Sequence, residues 1–346
     1  MYILLQSVLS VSVSVVIPTF NMGGNISMSI RSAQSQTLKD IEIIVVDDGS
    51  TDSTNEQLKT ITAEDPRVKV ITLEQNFGIL YARTTGVRAA QGQYLFNLNA
   101  DEEIFSEEVL AQMVKLIESE SVDIVQLKET TMVMEKRWVD SEESENNQMH
   151  VGRLVQPMLL NKTLEKEINI GLRAKLFRTE MYLDAIAKIE LNQSLKVNYN
   201  ADFLHACLVF ARVESYFGAE EFAYKYYEKE EMTSMKEKMT ADYDSAIRWA
   251  RSYVYSVNQI KKLLPEPTAA KVIELLDEDV KSVTYDTCET FGKWKNRMVC
   301  NELIGKHVLT AKLRSDIKWY LFQCQSASKG QSDKRGPEID DFKDEM

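Results

Sequence analysis

The part of the chain that most constrains the fold is residues 13–52, where two apolar runs are separated by enough residues for one helix. The runs are Val13–Pro18 and Ile41–Val46, and both are rich in Val and Ile without strict alternation. Such runs are typical of strands buried on both faces of a parallel sheet. The second run ends in Asp47 and Asp48, and ligands bind at the carboxyl ends of strands in open α/β sheets. The sequence therefore predicts a β-α-β unit with an acidic binding site at its edge.

The same alternation of strand and helix continues along the chain. A capped helix is predicted up to about Ala63, a third strand over Val68–Leu73 and a fourth over Tyr94–Leu98. Regular alternation of this kind predicts a parallel sheet with helices on both faces and right-handed crossovers. We therefore expect an α/β, three-layer, Rossmann-like domain.

Composition excludes some classes of protein. The 346 residues are 44% apolar, which is enough to bury a sizeable core. A formal net charge of −12 argues against binding to phosphate backbones, so we expect no nucleic-acid partner. The four cysteines have no CxxC spacing and predict buried thiols rather than a zinc site. No apolar run approaches the ~20 residues of a membrane span, so no transmembrane span is expected.

The two ends of the chain carry weak targeting signals. Residues 1–12 have the length of a signal-peptide core but no preceding positive charge, so they fit a signal peptide or an extension of the first strand equally. The final residues Lys343–Met346 resemble an ER-retention signal or are the tip of an acidic tail. Two glycosylation sequons begin at Asn161 and Asn192. Together these signals favour the lumen of the secretory pathway (ER) over the cytoplasm.

Further polar residues follow the third and fourth strands. Small residues Gly78, Ala82 and Gly86 recur every four residues, so one face of that helix can approach a strand or ligand closely, with Arg83 beside it. Asp101 lies in the loop after the fourth strand, near the earlier acids if the sheet is wound as proposed. Mg²⁺ and Mn²⁺ prefer oxygen ligands and are often shared between carboxylates and substrate phosphates. This loop is a candidate metal site, although a solvated acidic loop would look the same.

The order and spacing of these segments resemble glycosyltransferase family 2, whose members share the GT-A fold. The strong resemblance covers residues 13 to about 105: VSVVIPTFN, SQTLKDIEIIVVDDGSTD, NFGILYART and YLFNLNADEE. A weaker resemblance continues to about residue 235 through Lys175–Arg178, Asn200–Leu204 and Glu221–Tyr227. The expected fold is therefore a GT-A type nucleotide-diphospho-sugar transferase domain.

The resemblance implies a nucleotide-sugar donor, such as a UDP- or GDP-sugar, and an acceptor hydroxyl on a glycan, lipid or protein. It implies hexosyl or N-acetylhexosaminyl transfer. The residues that it places around the donor are Pro18, Thr19, Asn21, Asp47, Asp48, Asn76, Gly78, Arg83 and Asn99. A carboxylate facing a base N–H forms a charge-assisted hydrogen bond, and Arg83 suits a base or phosphate. The alternative for the acidic pair is a turn that caps the next helix.

The catalytic half departs from the family pattern. The family's DxD motif stands here as Asn99-Ala100-Asp101, so Asp101 is the implied ligand of a divalent metal (Mn²⁺ or Mg²⁺). The family's Glu-Asp motif stands as Ala201-Asp202, which leaves Asp202 as the implied general base of an inverting transfer. A helix-capping role for Asp202 is the alternative. His205, one turn later, is expected to be a core or surface histidine.

These observations predict four regions and leave three functions open. The regions are residues 1–12, a GT-A domain over 13–235, a helical appendage over 236–325 and a disordered acidic tail over 326–346. The first function is an active inverting glycosyltransferase. The second is a degenerate relative that binds a nucleotide-sugar or a partner without turnover, as Asn99 and Ala201 suggest. The third, a nucleotidyltransferase, is disfavoured because Met22–Gly24 is too short and lacks the basic residues of a phosphate loop.

Overall fold

The structure is a computed structural model that describes residues 11–133, 137–139, 150–155, 168, 171–198, 201–228, 243–266 and 268–273. The chain divides into two compact units, residues 1–230 and 231–346. Most of the predicted N-terminal segment, the sequon at Asn161, the predicted helices after residue 273 and the acidic tail lie outside the described residues.

The first unit contains ten strands and six helices among the residues described. The strands are β1 (Val13–Thr19), β2 (Ile41–Asp47), β3 (Val68–Thr72), β4 (Tyr94–Asn97), β5 (Glu103–Ile104), β6 (Ile124–Val133), β7 (Arg137–Val139), β8 (Gly152–Val155), β9 (Lys175–Arg178) and β10 (Ser215–Glu228). The helices are α1 (Ile26–Gln34), α2 (Thr54–Glu64), α3 (Ile79–Ala89), α4 (Val109–Ser119), α5 (Thr179–Ile186) and α6 (Ala201–Phe210).

All ten strands form one mixed sheet. Its main path runs β3-β2-β1-β4-β9-β6-β10-β5, with β7 paired to β6 and β8 paired to β10. Strands β1 to β4 are parallel, as the sequence predicts. Strand β9 is antiparallel to both β4 and β6, so the start of β9 lies at the same sheet edge as the ends of its neighbours. The local pattern of the sequence did not indicate this reversal.

Helices cover both faces of the parallel half. Residues Ile26, Ile30 and Ala33 of α1 pack in one core with Val15 and Ile17 of β1. On the opposite face, α3 packs against β1 and β2 through its small residues. A Cβ on Gly86 would lie 2.6 Å from Val16 Cγ1, so glycine permits this close approach. The result is the predicted three-layer domain, matching the expected GT-A type fold class.

The described part of the second unit is helical. Helix α7 spans Tyr243–Leu263, inside the region predicted to be a helical appendage, and residues 268–273 are also helical. Trp249 stacks on Tyr253 with ring centroids 6.0 Å apart, and both side chains are buried. Within the described ranges, no helix combines the length and apolar character that a membrane crossing needs.

Candidate active site

The two acids at the end of β2, Asp47 and Asp48, have different hydrogen-bond partners. Asp48 is buried, and its carboxylate accepts hydrogen bonds from the backbone N–H groups of Phe77 (2.7 Å) and Gly78 (2.8 Å). Burial raises the pKa of Asp48, while these two bonds and nearby Lys196 oppose the rise. Because both carboxylate oxygens accept a backbone bond, Asp48 fastens the loop that precedes α3 to the sheet edge.

Asp47 keeps an acceptor atom that the described protein does not use. Its Oδ1 accepts the Ser50 N–H at 3.0 Å, and this turn supports the next loop. Its Oδ2 is buried without a hydrogen-bond partner among the described residues. The hydroxyl of Thr19, at the end of β1, is buried and likewise unpaired within that part of the chain. A buried polar atom without a partner is costly, so a ligand donor at Asp47 would be favoured.

The loop after β1 is tied to the loop after β2. Asn21 has a positive φ of 52°, which asparagine tolerates better than most residues. Its backbone N–H donates to Ser50 Oγ at 2.9 Å, and its Oδ1 accepts the Thr51 N–H at 2.8 Å. Pro18 pairs with Val46 in the parallel register of β1 and β2. The residues predicted to bind the nucleotide-sugar donor at the ends of β1 and β2 therefore lie at one edge of the sheet.

The loop that Asp48 holds is tightly packed. Gly78 has φ +95°, and a Cβ there would lie 2.9 Å from the backbone nitrogen of Val197. Only glycine fits this conformation and this approach without strain. The Asn76 Oδ1 atom is buried and unpaired as far as the chain is described. Asn76 therefore adds a further acceptor atom that the described residues do not use.

Arg83 connects the end of β4 and the loop after it to helix α6. Its side chain is 2% exposed, and its Nε donates to Asp202 Oδ1 at 2.9 Å. Its NH1 donates to Asn97 Oδ1 at 3.2 Å and its NH2 to Asn99 Oδ1 at 2.8 Å. The Asp202 side chain is 41% exposed. The buried guanidinium of Arg83 therefore holds the exposed Asp202 carboxylate and the side-chain amide of Asn99 together.

The loop after β4 is fixed from two directions. Ser29 of α1 donates its hydroxyl to the backbone carbonyls of Asn99 (3.0 Å) and Glu102 (2.7 Å). From β10, the Tyr224 hydroxyl accepts the Asn99 N–H at 3.1 Å and donates to the Glu102 carboxylate. Glu102 is buried, whereas Asp101 is half-buried. Of these two neighbouring acids, Asp101 is therefore the one nearer the surface of the loop.

A buried charge cluster supports the inner side of this loop. Arg173 pairs with Glu102 and with Glu129, each at 3.2 Å. Burial raises the pKa of Glu102 to about 7, against the opposing effects of Arg173 and Tyr224. Burial lowers the pKa of Lys175 to about 7, although Glu129 opposes this. The cluster is possible because antiparallel β9 starts at the edge where β4 ends.

The loop can supply a metal with one shared carboxylate rather than a full ligand set. Among the residues described, no group of three or more His, Cys, Asp or Glu side chains is arranged to hold a metal ion. Asn99 Oδ1 accepts from Arg83, and Glu102 is turned to Arg173 and Tyr224. A half-buried Asp101 fits an ion that takes its other ligands from substrate phosphates and water.

His205 is a core histidine, consistent with the sequence expectation. It is fully buried between α3 and α5, where its Nε2 lies 2.9 Å from Thr84 Oγ1 and its Nδ1 lies 3.1 Å from the Tyr182 hydroxyl. Burial, together with the charges of Arg83 and Arg88, lowers its pKa to about 3.

Sequence reasoning missed several residues that hold the site. Asn97, Thr84, Tyr182 and Tyr224 all act through contacts with residues that are distant in the sequence. For Asn97 a signal was present, because residues two apart on a strand share a face and Asn99 was already a candidate.

These features define a domain of the GT-A type fold: a parallel β1–β4 half, acids at its carboxyl edge and a second half in which β9 runs antiparallel to β4 and β6. Residues 14–177 match the model of Glycosyl transferase family 2. The match falls on the part of the chain whose sequence motifs resemble that family.

Named relatives cover part of the chain. This chain is 32% identical over 113 residues to glycosyltransferase GlyG of Streptococcus pneumoniae, a match that covers 33% of this chain and 37% of that protein. It is 40% identical over 90 residues to chondroitin synthase of Escherichia coli, covering 26% of this chain and 13% of that protein. The matches thus span well under half of these relatives.

Solved structures share the fold over nearly the whole chain. Residues 1–349 of S. aureus TarS, crystallised with UDP, superpose with a TM-score of 0.63 at 19% identity, covering 95% of this chain and 94% of that one. The same protein crystallised with UDP-GlcNAc gives a TM-score of 0.59 at 18% identity, with 95% of each chain covered. At this level of identity the likeness concerns the fold.

Proposed function

We propose that the protein is an inverting glycosyltransferase that moves a hexosyl or N-acetylhexosaminyl group from a nucleotide-diphosphate sugar to an acceptor hydroxyl. The observation that carries the proposal is the convergence of Arg83, Asn99 and Asp202, from three separate segments, beside the acidic edge of the parallel strands. The match of residues 14–177 to the model of Glycosyl transferase family 2 supports it. The complexes of TarS with UDP and UDP-GlcNAc favour a uridine donor over a guanosine one.

The donor would bind across the ends of β1 and β2. The unused Asp47 oxygen and the Thr19 hydroxyl suit the imide N–H and carbonyl groups of a uracil ring. Asp48 and Gly78 would act indirectly, by shaping the loop that carries Asn76. Asp101 would share a Mn²⁺ or Mg²⁺ ion with the diphosphate, and this ion would offset charge on the leaving group.

The proposed chemistry is a single displacement. Asp202 accepts the proton of the acceptor hydroxyl as its oxygen forms a bond to the anomeric carbon. The bond between that carbon and the diphosphate oxygen breaks, the electron pair leaves with the nucleoside diphosphate, and the configuration inverts. The Asp202 carboxylate is exposed enough to meet an acceptor, while the bond from Arg83 Nε orients it. General-base catalysis of this kind contributes about 10²–10⁴-fold.

The test is hydrolysis of a panel of UDP- and GDP-sugars, with water as acceptor and with Mn²⁺, Mg²⁺ or EDTA. We expect Asp202→Asn and Asp101→Asn each to lower the rate by about 10²-fold or more. Glu64→Gln is the matched control, because Glu64 also pairs with an arginine (Arg31, 3.4 Å) but lies on an exposed helix surface. Hydrolysis that is unchanged in both site variants would refute the assignment.

A degenerate, binding-only relative is the second candidate. It is favoured by the absence of a second carboxylate at Asn99, whose side-chain oxygen is engaged by Arg83. Calorimetry that shows UDP binding without turnover of any donor in the panel would select this function. Turnover that requires Asp202 would exclude it.

A further inference from the structure

His205 makes contacts that join three helices of the candidate site. It lies on α6 three residues after Asp202, and its ring reaches Thr84 on α3 and Tyr182 on α5. The ring of Tyr182 meets it edge-on, with centroids 5.8 Å apart. The side chain is fully buried, so solvent does not compete for these two contacts.

The hydrogen bonds around His205 determine which ring nitrogen carries the proton. The Thr84 hydroxyl donates its only proton to the Leu80 carbonyl at 2.7 Å. Thr84 Oγ1 must therefore accept from His205 Nε2, which carries a hydrogen. In the neutral ring Nδ1 is then an acceptor, and the Tyr182 hydroxyl donates to it. Of the two neutral tautomers, only the Nε2–H form satisfies this whole chain of bonds.

The charged groups that face this ring oppose its protonation. Arg83 and Arg88 of α3 both act against a second positive charge. On its own helix, the carboxylate of Asp202 is engaged by Arg83. The hydrogen-bond geometry therefore selects the tautomer, and the neighbouring arginine charges favour the neutral ring.

Two adjacent residues of α3 therefore hold two positions on α6. Arg83 contacts Asp202, and Thr84 contacts His205. Residues three apart on a helix lie on the same side, so these contacts are about one turn apart. The buried apolar residues of α6 already restrict its rotation, and the two contacts add a specific orientation relative to α3. The direction of the Asp202 carboxylate depends on that rotation.

We propose that His205 is a positioning residue, which as the Nε2–H tautomer locks α6 to α3 and so orients Asp202 for proton transfer. This inference rests on the proposed function for its catalytic consequence, while the orientation itself can be measured without turnover.

The chain offers a matched pair of substitutions to test this. Thr84→Val and Thr85→Val each remove a hydroxyl that donates to a carbonyl four residues earlier in the same helix. Only Thr84 also contacts His205. We expect Thr84→Val to lower kcat for donor hydrolysis about 10- to 100-fold with the donor KM within about twofold. Thr85→Val should change neither constant by more than about twofold.

Two substitutions of the histidine separate its two contacts. In His205→Gln the side-chain amide can reach the Nε2 position and still donate to Thr84, whereas in His205→Asn the shorter amide replaces the Nδ1 side alone. We expect His205→Gln to retain most of kcat and His205→Asn to behave like Thr84→Val. Equal kcat losses in the two histidine variants, or equal losses in the two threonine variants, would overturn the proposal.

A nuclear magnetic resonance experiment reads the orientation without catalysis. In ¹⁵N-labelled protein we expect a protonated His205 Nε2 and an Arg83 Nε–H signal protected from exchange by Asp202. This Arg83 protection should be lost in Thr84→Val and kept in Thr85→Val. A protonated Nδ1, or protection that survives in Thr84→Val, would refute the positioning role. An inactive wild-type protein that shows the expected signals would instead refute the proposed function alone.

Discussion

The two neighbouring acids at the end of β2 should respond very differently to the same substitution. Asp48 accepts two backbone N–H groups with its two oxygens, whereas Asp47 accepts one and leaves the other oxygen unused within the described chain. In Asp48→Asn one N–H can still bond to the amide oxygen, but the other faces an NH₂ group, which is a donor. In Asp47→Asn the amide oxygen can keep the bond to Ser50.

The expected magnitude follows from these bonds. A hydrogen bond to an ionised group contributes about 1.5–3 kcal/mol, and a buried donor left unpaired costs about 1–3 kcal/mol. Loss of one bond and weakening of the other should lower the free energy of unfolding of Asp48→Asn by about 2–4 kcal/mol. At about 2–4 °C per kcal/mol for a domain of this size, its Tm should fall by about 4–16 °C. For Asp47→Asn we expect a change below about 1 kcal/mol.

Urea denaturation and calorimetry in the absence of nucleotide, near pH 8, would measure both variants. Binding of UDP should show the opposite order at permissive temperature: Asp47→Asn weakens it strongly because an amide donor replaces part of the acceptor, and Asp48→Asn weakens it less. Equal loss of stability in the two variants, or an Asp48→Asn protein as stable as wild type, would refute this division of roles between Asp47 and Asp48.

Three further predictions concern individual side chains. Gly78→Ala should lower the free energy of unfolding by about 1–3 kcal/mol, because Gly78 has a positive φ and lies close to the Val197 nitrogen. Gly24→Ala is the control and should change the free energy little, because no described atom lies within 4 Å of its added Cβ. The midpoints of urea denaturation compare the two variants. Burial raises the pKa of Glu102 to about 7, above its usual 4.5, so its contribution to stability is present at low pH and is lost as the pH rises towards 7. Glu102→Gln should therefore flatten the pH dependence of stability between about pH 5 and 7, and urea titrations at several pH values that show an unchanged slope would contradict this. The buried Cys207 thiol, whose pKa burial raises, should be alkylated only after unfolding, as peptide mass mapping would show.

Local sequence patterns predicted the parallel half of the fold well. The limits of β1 to β4 all agree with the predicted strands within one residue. This success has a physical basis, because runs of Val and Ile bounded by turns report burial directly. The mixed half could not be predicted in the same way, because β9 and β10 pair with strands far away in the sequence.

The candidate site, like the fold, could be predicted only in part. The sequence correctly gathered the acids at one edge but could not assign Asp48 to the loop that it holds, since its partners lie about thirty residues away. The change to asparagine at position 99 looked like a lost ligand, whereas the structure gives its oxygen a bond from Arg83. Such roles depend on which distant side chain arrives beside a residue, and one sequence alone does not encode that visibly.

The bond between Arg83 and Asp202 also constrains the order in which the domain can be completed. The two residues are 119 positions apart, so during synthesis α3 leaves the ribosome long before its partner helix does. A buried guanidinium without a carboxylate is costly, and α3 therefore gains its final packing only after α6 arrives. The donor edge can form early, but a chain interrupted between these residues would expose an unpaired arginine at its centre. An incompletely synthesised chain would therefore carry an unpaired Arg83 at the position that forms the proposed catalytic site in the complete chain.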